Sequence, residues 1–182
     1  MRVIAGKCRS LPLITPEGDE TRPTSDRIKE TLFNILQADV PGAVFYDFFC
    51  GSGGIGIEAL SRGAKHSYFI DSSREAVDCL KKNLDFTKLQ DQATVYHRDA
   101  LSAVPFLQDK ADIIFMDPPY HTDYDLELLQ QLRTSGILKK DTLLIVEAAR
   151  EKNFTDTGSL GYDIVKEKLY KTNKHVFLVP AE

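Results

Sequence analysis

The stretch AVFYDFFCGSGGIG, residues 43–56, decides how the rest of the chain is read. An apolar run meets a cluster of glycines, and the helix-like segment IGIEALSRG follows, so a strand feeds a tight turn that opens a helix. Gly51, Gly53 and Gly56 satisfy G-x-G-x-x-G, and Asp71 follows Gly51 by twenty residues at the end of the next apolar run, HSYFID. Together these make the dinucleotide-binding fingerprint. Glycines let the backbone turn sharply and approach a ligand, and a carboxylate at the tip of the second strand accepts ribose hydroxyls. No Gly-Lys-Ser/Thr follows, which excludes a Walker A loop. Alone, the loop defines a nucleoside-containing ligand.

Outward from this stretch, the apolar runs ATVYHRD, ADIIFMD and DTLLIVEA alternate with the amphipathic segments REAVDCLKKNLDFTKL and DLELLQQLRTSG. Strand and helix alternating at this spacing predict an α/β fold, a doubly wound, mostly parallel sheet with strands buried on both faces. The tail GYDIVKEKLYKTNKHVFLVP reads as an antiparallel hairpin turning near Thr172–Lys174, which brings the sheet to seven Rossmann-like strands. Residues 1–40 differ: a short basic strand-like piece, the proline-rich LPLITPEGDETRPT, and a helix expected to begin near Ser25 and to end at Pro41 and Gly42. We expect a short extension over 1–40 and a catalytic domain over 41–182. Asp71, Asp99 and Asp117 close the second, third and fourth strands, and Asp47 lies just before the end of the first, so four acids would gather on the carboxyl rim where open sheets bind ligands.

Composition narrows the partners. With 42% hydrophobic and 27% charged residues, the 182-residue chain can bury a core, and it reads as neither disordered nor fibrous. Cys8, Cys50 and Cys79 form no CxxC pair, so no disulfide scaffold and no metal are expected, and a reducing cytoplasm fits. The apolar runs are too short for a membrane partner. A net charge of −4 disfavours a polycation that coats nucleic acid, yet residues 1–10 carry +3, residues 22–29 carry +2 and residues 166–175 carry +3. A monomer is expected.

Two features turn the ligand away from a nicotinamide. Asp47 would gain nothing beside a pyrophosphate but would attract a ligand with an ammonium and a sulfonium, as in S-adenosylmethionine. Asp99 is placed to accept from an adenine amine; it could equally cap the helix starting near Leu101. The tetrad Asp117-Pro118-Pro119-Tyr120 falls past the fourth strand, where prolines hold the backbone extended. Asp117 and the Pro118 carbonyl could accept both hydrogens of a nucleobase amine and aim its lone pair at an electrophile, while Tyr120 stacks on the base. An NAD-dependent oxidoreductase, the competing reading of the glycine loop, leaves the tetrad unexplained.

RPTSDRIKETLFNIL, DFFCGSGGIGIEALSRGA, FIDSS, HRDA and DPPY, in this order and spacing, strongly resemble the RsmD-type 16S rRNA guanine-N2 methyltransferases. The resemblance implies the class I methyltransferase fold, S-adenosylmethionine as donor, and a guanine N2 amine of 16S rRNA or the small ribosomal subunit as acceptor. An adenine-N6 methyltransferase shares the tetrad and stays the nearest alternative. By motif, Asp47, Gly51 and Gly53 would hold the methionine part, Asp71 the ribose and Asp99 the adenine. Phe49, Ser52, Ser72 and Ala100 adjoin them, and Asp117, Pro118, Pro119 and Tyr120 would form the acceptor site. The resemblance departs at Asp71, where relatives often carry Glu. Arg2, Lys7, Arg9, Arg22, Thr24 and Arg27 are the candidate rRNA contacts.

Overall fold

Strand β1 (Val44–Phe48) lies inside the sheet, and all but its first residue are buried. In the computed structural model, which describes residues 1–17 and 25–182, it pairs in parallel with β2 (His66–Asp71) on one side and β4 (Ile113–Met116) on the other. Adding β3 (Ala93–His97), β5 (Leu143–Ala149), β6 (Tyr162–Leu169) and β7 (Asn173–Pro180) gives the order β3-β2-β1-β4-β5-β7-β6. The first five strands are parallel; β7 runs antiparallel to both β5 and β6. The strand order reverses between β1 and β4, so the crevice of an open α/β sheet opens at their carboxyl ends.

Strand alternation sorts the core into two layers. Phe45, Ile113, Phe115, Ile145 and Phe177 pack with α1 (Asp26–Ile35), α2 (Gly54–Ser61), α3 (Arg74–Thr87) and the N-terminal segment. Tyr46, Phe48, Ile114, Met116, Leu144 and Val146 pack against α4 (Ala100–Ala103) and α5 (Tyr124–Thr134). The expected burial of every parallel strand fails at β3, whose residues are half-buried or exposed. It is an edge strand, and the four-residue α4 is too short to cover it.

Ser25 caps α1 by accepting from the Ile28 N–H at 3.2 Å, as expected. The helix stops at Ile35 rather than at Pro41 and Gly42. Beyond it, the Asp39 and Val40 N–H groups both return to the Leu36 carbonyl, in a turn that keeps Leu36 and Val40 buried.

Residues 1–13 are fastened to α2. Buried Glu58 accepts from the Ile4 N–H at 2.9 Å and the Ala5 N–H at 3.0 Å, pairs with Arg62 Nε at 2.9 Å, and lies 3.6 Å from Lys29 Nζ, which donates to the Arg2 carbonyl at 2.6 Å. Gly6 sits at φ +84°, and a Cβ there would lie 1.9 Å from the Ser61 carbonyl oxygen, so only glycine permits the close approach.

Candidate active site

Leaving β1, the chain passes through Phe49 at φ +58°, a left-handed conformation that costs a bulky residue about 1–3 kcal/mol. Its ring meets Tyr124 edge to face at 5.7 Å. Gly51 (φ +55°) and Gly53 (φ +91°) complete the turn, and Gly53 precedes α2 as its cap. A Cβ on Gly51 would meet nothing within 4 Å, so this glycine borders open space from which a ligand can approach the backbone.

Two acids hold the loop. Asp71, at the tip of β2, accepts from the Gly51 N–H and the Ser73 N–H, each at 2.8 Å. Asp47, fully enclosed within β1, accepts from the Gly56 N–H at 2.8 Å. Burial pushes the Asp47 carboxyl up to about 7 against the Gly56 hydrogen bond, and nearby Asp71 adds to the rise. Buried Ser52 offers its carbonyl to Asn83 Nδ2 at 3.0 Å. Asn83 also exchanges two hydrogen bonds with Ile14, tying the glycine loop to the N-terminal segment. Exposed Ser72 presents its carbonyl to His97 Nε2 at 3.0 Å.

Asp99 lies two residues beyond β3 and caps α4, whose first residue is the buried Ala100. It accepts from the Ser102 N–H at 3.1 Å and from the Tyr124 hydroxyl. Desolvation opposes its charge, yet the Tyr124 and Ser102 hydrogen bonds prevail and hold its carboxyl below the usual range. The capping alternative is thus realised, and Asp99 stays an anion with lone pairs to spare.

Across the crevice, Asp117 follows β4 directly, its N–H reaching the Phe48 carbonyl at 3.4 Å. Burial raises its carboxyl well above the ordinary range, and the charges of Glu147 and Asp47 raise it further. Pro118 is buried; Pro119 and Tyr120 are exposed. The Pro119 carbonyl accepts from Thr122 Oγ1 at 2.7 Å. The next turn contains His121 at φ +65° and is anchored by Lys152, which reaches the Thr122 carbonyl at 2.8 Å and Asp125 at 2.7 Å.

Glu147, which the sequence reading passed over, stands behind this loop on β5. Its signal was available: an acid inside the apolar run LLIVEA, like Asp47 inside VFYDF. Among the described residues no cluster of three or more His, Cys, Asp or Glu side chains could hold a metal ion, and no helix is long and apolar enough to cross a membrane.

Arg2, Lys7, Arg9 and Arg27 are all exposed; Arg2 pairs with Asp26 at 3.0 Å, and Lys7 donates to Gln92 at 2.7 Å. Arg22 and Thr24 lie outside the described residues. Lys29, counted above in the basic stretch 22–29, is buried against Glu58 and adds no surface charge.

A glycine loop after β1 facing an Asp-Pro-Pro-Tyr loop after β4, on this strand order, defines a Rossmann-like methyltransferase fold. The chain belongs to the family described as Conserved hypothetical protein 95, the RsmD family, whose model matches residues 1–179. The Ribosomal RNA small subunit methyltransferase D of Haemophilus influenzae is 36% identical over 182 residues, spanning 94% of this chain and 93% of that protein. Its namesake in Escherichia coli K12 is 34% identical over 169 residues, 93% and 84% of the two chains. The solved structure titled "Putative methyltransferase yhhF from Escherichia coli" aligns with a TM-score of 0.89 at 31% identity, covering 100% of this chain and 98% of that one.

Proposed function

We propose that this protein transfers a methyl group from S-adenosylmethionine to the exocyclic N2 amine of a guanine in 16S rRNA. The observation that carries this reading is the meeting of the Gly51–Gly56 and Asp117–Tyr120 loops at the adjoining carboxyl ends of β1 and β4. The names of the relatives support rRNA as the acceptor.

When bound, S-adenosylmethionine supplies an electrophilic sulfonium methyl. Gly51 and Gly53 admit the methionine portion to the backbone, with Phe49 and Ser52 beside it, and Asp47 favours its cationic charges. Asp71 and Ser72 would hold the ribose, and Asp99 and Ala100 the adenine. Asp117 and the Pro118 carbonyl accept the two N–H groups of the guanine amine, Pro119 keeps that carbonyl in place, and Tyr120 stacks on the base. Methyl transfer from the sulfonium to the amine would leave the nitrogen positively charged, with a proton to lose. Ionised Asp117 is the adjacent group that can receive it. The guanine must be unpaired or flipped from its stack to reach this rim.

Incubation with methyl-labelled cofactor and either naked 16S rRNA or small subunits, followed by mapping of the labelled base, tests the reading. N2-methylguanine is expected. Label on adenine N6 would transfer the mechanism to the other nucleobase, and absence of label in both RNAs would overturn the function.

Because Asp47 titrates near 7, its ionised fraction grows steeply from pH 6 to 8. Affinity for the cationic donor should therefore rise with pH by up to about tenfold, and affinity for S-adenosylhomocysteine, which lacks the sulfonium, should rise less. Calorimetric titration reads this directly; parallel profiles for both ligands would remove Asp47 from cofactor binding.

We assign rRNA phosphate contacts to the 1–40 extension, with Arg2, Lys7, Arg9 and Arg27 as exposed described cations and with Arg22 and Thr24 as further candidates. Arg9→Ala should weaken rRNA binding and reduce the slope of log K against log salt by about 0.7–0.9. Arg2, already paired with Asp26, should matter less. Equal slopes for wild type and Arg9→Ala would place the RNA elsewhere.

A further inference from the structure

The antiparallel hairpin has no part in the chemistry above, yet β7 touches Glu147, which in turn meets Tyr120. The rim residues of β5 and β7 are in register, Glu147 opposite His175 and Ala149 opposite Asn173. Glu147 Oε2 meets His175 Nε2 at 3.0 Å, and Glu147 Oε1 accepts from Asn173 Nδ2 at 2.9 Å. On the far side of His175, Nδ1 meets the Tyr170 hydroxyl at 3.4 Å, and the ring stands edge to face against Phe115 at 5.8 Å and Tyr170 at 5.1 Å. His175 is wholly enclosed, with 0% of its side chain exposed, and Glu147 has 8%.

What Glu147 offers outward is a lone pair on Oε1, and the group that takes it is the Tyr120 hydroxyl, at 3.5 Å. This is a long hydrogen bond of the kind that tightens when a reaction partner binds. Tyr120 is otherwise 40% exposed at the lip of the crevice. A buried carboxylate is costly compared with an apolar residue, and nothing in the strand pairing requires one at this position. Asn173 and His175 hold it in one orientation from two directions, and its open side faces the aromatic ring beside the acceptor amine.

We propose that Glu147, bracketed by His175 and Asn173 of β7, is a positioning residue that fixes the Tyr120 ring for stacking on the methyl acceptor. The proposal rests on the reading of Tyr120 as the acceptor-stacking residue and adds the hairpin to the active site. Glu147 acts through Tyr120 and takes no part in bond making. An amide at 147 can do the same work: its carbonyl oxygen accepts from Tyr120 and Asn173, and its NH₂ donates to His175 once the imidazole presents Nε2 as acceptor and donates through Nδ1 to Tyr170.

The test is a set of variants, Glu147→Ala, Glu147→Gln, Tyr120→Phe and the double variant Glu147→Ala/Tyr120→Phe, assayed for methyl transfer to RNA and for binding of S-adenosylhomocysteine. Glu147→Ala should lower kcat by about 10–100-fold with the cofactor Kd unchanged within about twofold, and Glu147→Gln should recover most of the loss. Tyr120→Phe should cost a similar factor, and the double variant no more than either single one. A second readout needs no substrate: in protein carrying ¹³C-labelled tyrosine, the Tyr120 Cζ resonance should move in Glu147→Ala and stay near its wild-type position in Glu147→Gln. Multiplying losses in the double variant, or an unmoved Tyr120 resonance, would overturn the bracket. A wild-type protein that methylates neither 16S rRNA nor small subunits would instead overturn the function on which it rests, whatever the resonance does.

Discussion

Asp117→Ala should abolish methyl transfer, with kcat down at least about a thousandfold, and should leave S-adenosylhomocysteine binding within a few-fold of wild type. An aryl amine is a poor nucleophile because its lone pair is delocalised into the ring, and the carboxylate that accepts its N–H concentrates that lone pair on nitrogen. Without it the amine is neither oriented nor activated, whereas the glycine loop and Asp71 are untouched. A variant with full turnover would remove Asp117 from the mechanism; one that has lost cofactor binding as well would make the residue structural. The same carboxyl has an opposite effect on folding. Burial, Glu147 and Asp47 raise its folded-state pKa, while in the unfolded chain it titrates near 3.9. As pH climbs from about 3.9 to the raised folded value, the unfolded chain releases the proton and the folded chain retains it, so stability falls with pH across that window. The isosteric Asp117→Asn should melt with the wild type below pH 4 and above it at pH 8. A gain of about 1 kcal/mol would appear as about 2–4 °C in Tm. Thermal melts at the two pH values check the sign.

Glu58→Ala should destabilise the fold by about 3–5 kcal/mol, the cost of leaving a buried cation unpaired, and lower Tm by about 10 °C. Lys29 Nζ and Arg62 Nε would lose their carboxylate partner, and the Ile4 and Ala5 N–H groups would lose their acceptor. Lys29 has almost no access to water, and burial already lowers its pKa against the pull of Glu58. Urea unfolding gives the free energy, and hydrogen exchange at Ile4 and Ala5 should accelerate more than at β1. Adding Lys29→Met should restore part of the loss, because the orphaned charge goes with it. A loss below about 1 kcal/mol for Glu58→Ala would mean that the N-terminal segment is held chiefly by its other contacts, the buried Val3, Cys8 and Leu13 and the Asn83–Ile14 hydrogen bonds.

Much of this molecule is legible in one dimension, since the spacing of apolar runs is a local property. The strand, glycine loop and helix over residues 43–61, the acid ending β2, the tetrad after β4 and the final hairpin follow from periodicity and turn chemistry, and the open sheet then brings them to one rim. Boundaries fared less well. The first helix stops at Ile35, short of the proline that reads as its end, because burying Leu36 and Val40 outweighs continuing the helix. The edge strand β3 is apolar enough to look central, yet only tertiary placement decides what covers it. Charge was the least legible quantity: Lys29 and Lys174 count as surface cations in the sequence but are buried against Glu58 and Glu167.

The fold class, the glycine loop and the Asp-Pro-Pro-Tyr tetrad are legible along the chain, because each is written in neighbouring residues. Which acids share an environment depends instead on how the strands pack. Asp47 in β1, Asp117 just past β4 and Glu147 in β5 stand far apart in sequence, and the repulsion that Asp47 and Glu147 exert on Asp117 exists only once the parallel strands lie side by side. The same holds for His175 and Asn173, which an antiparallel register sets against Glu147. Electrostatics and hydrogen bonding act over a few ångströms of space, and a spacing along the chain does not record them.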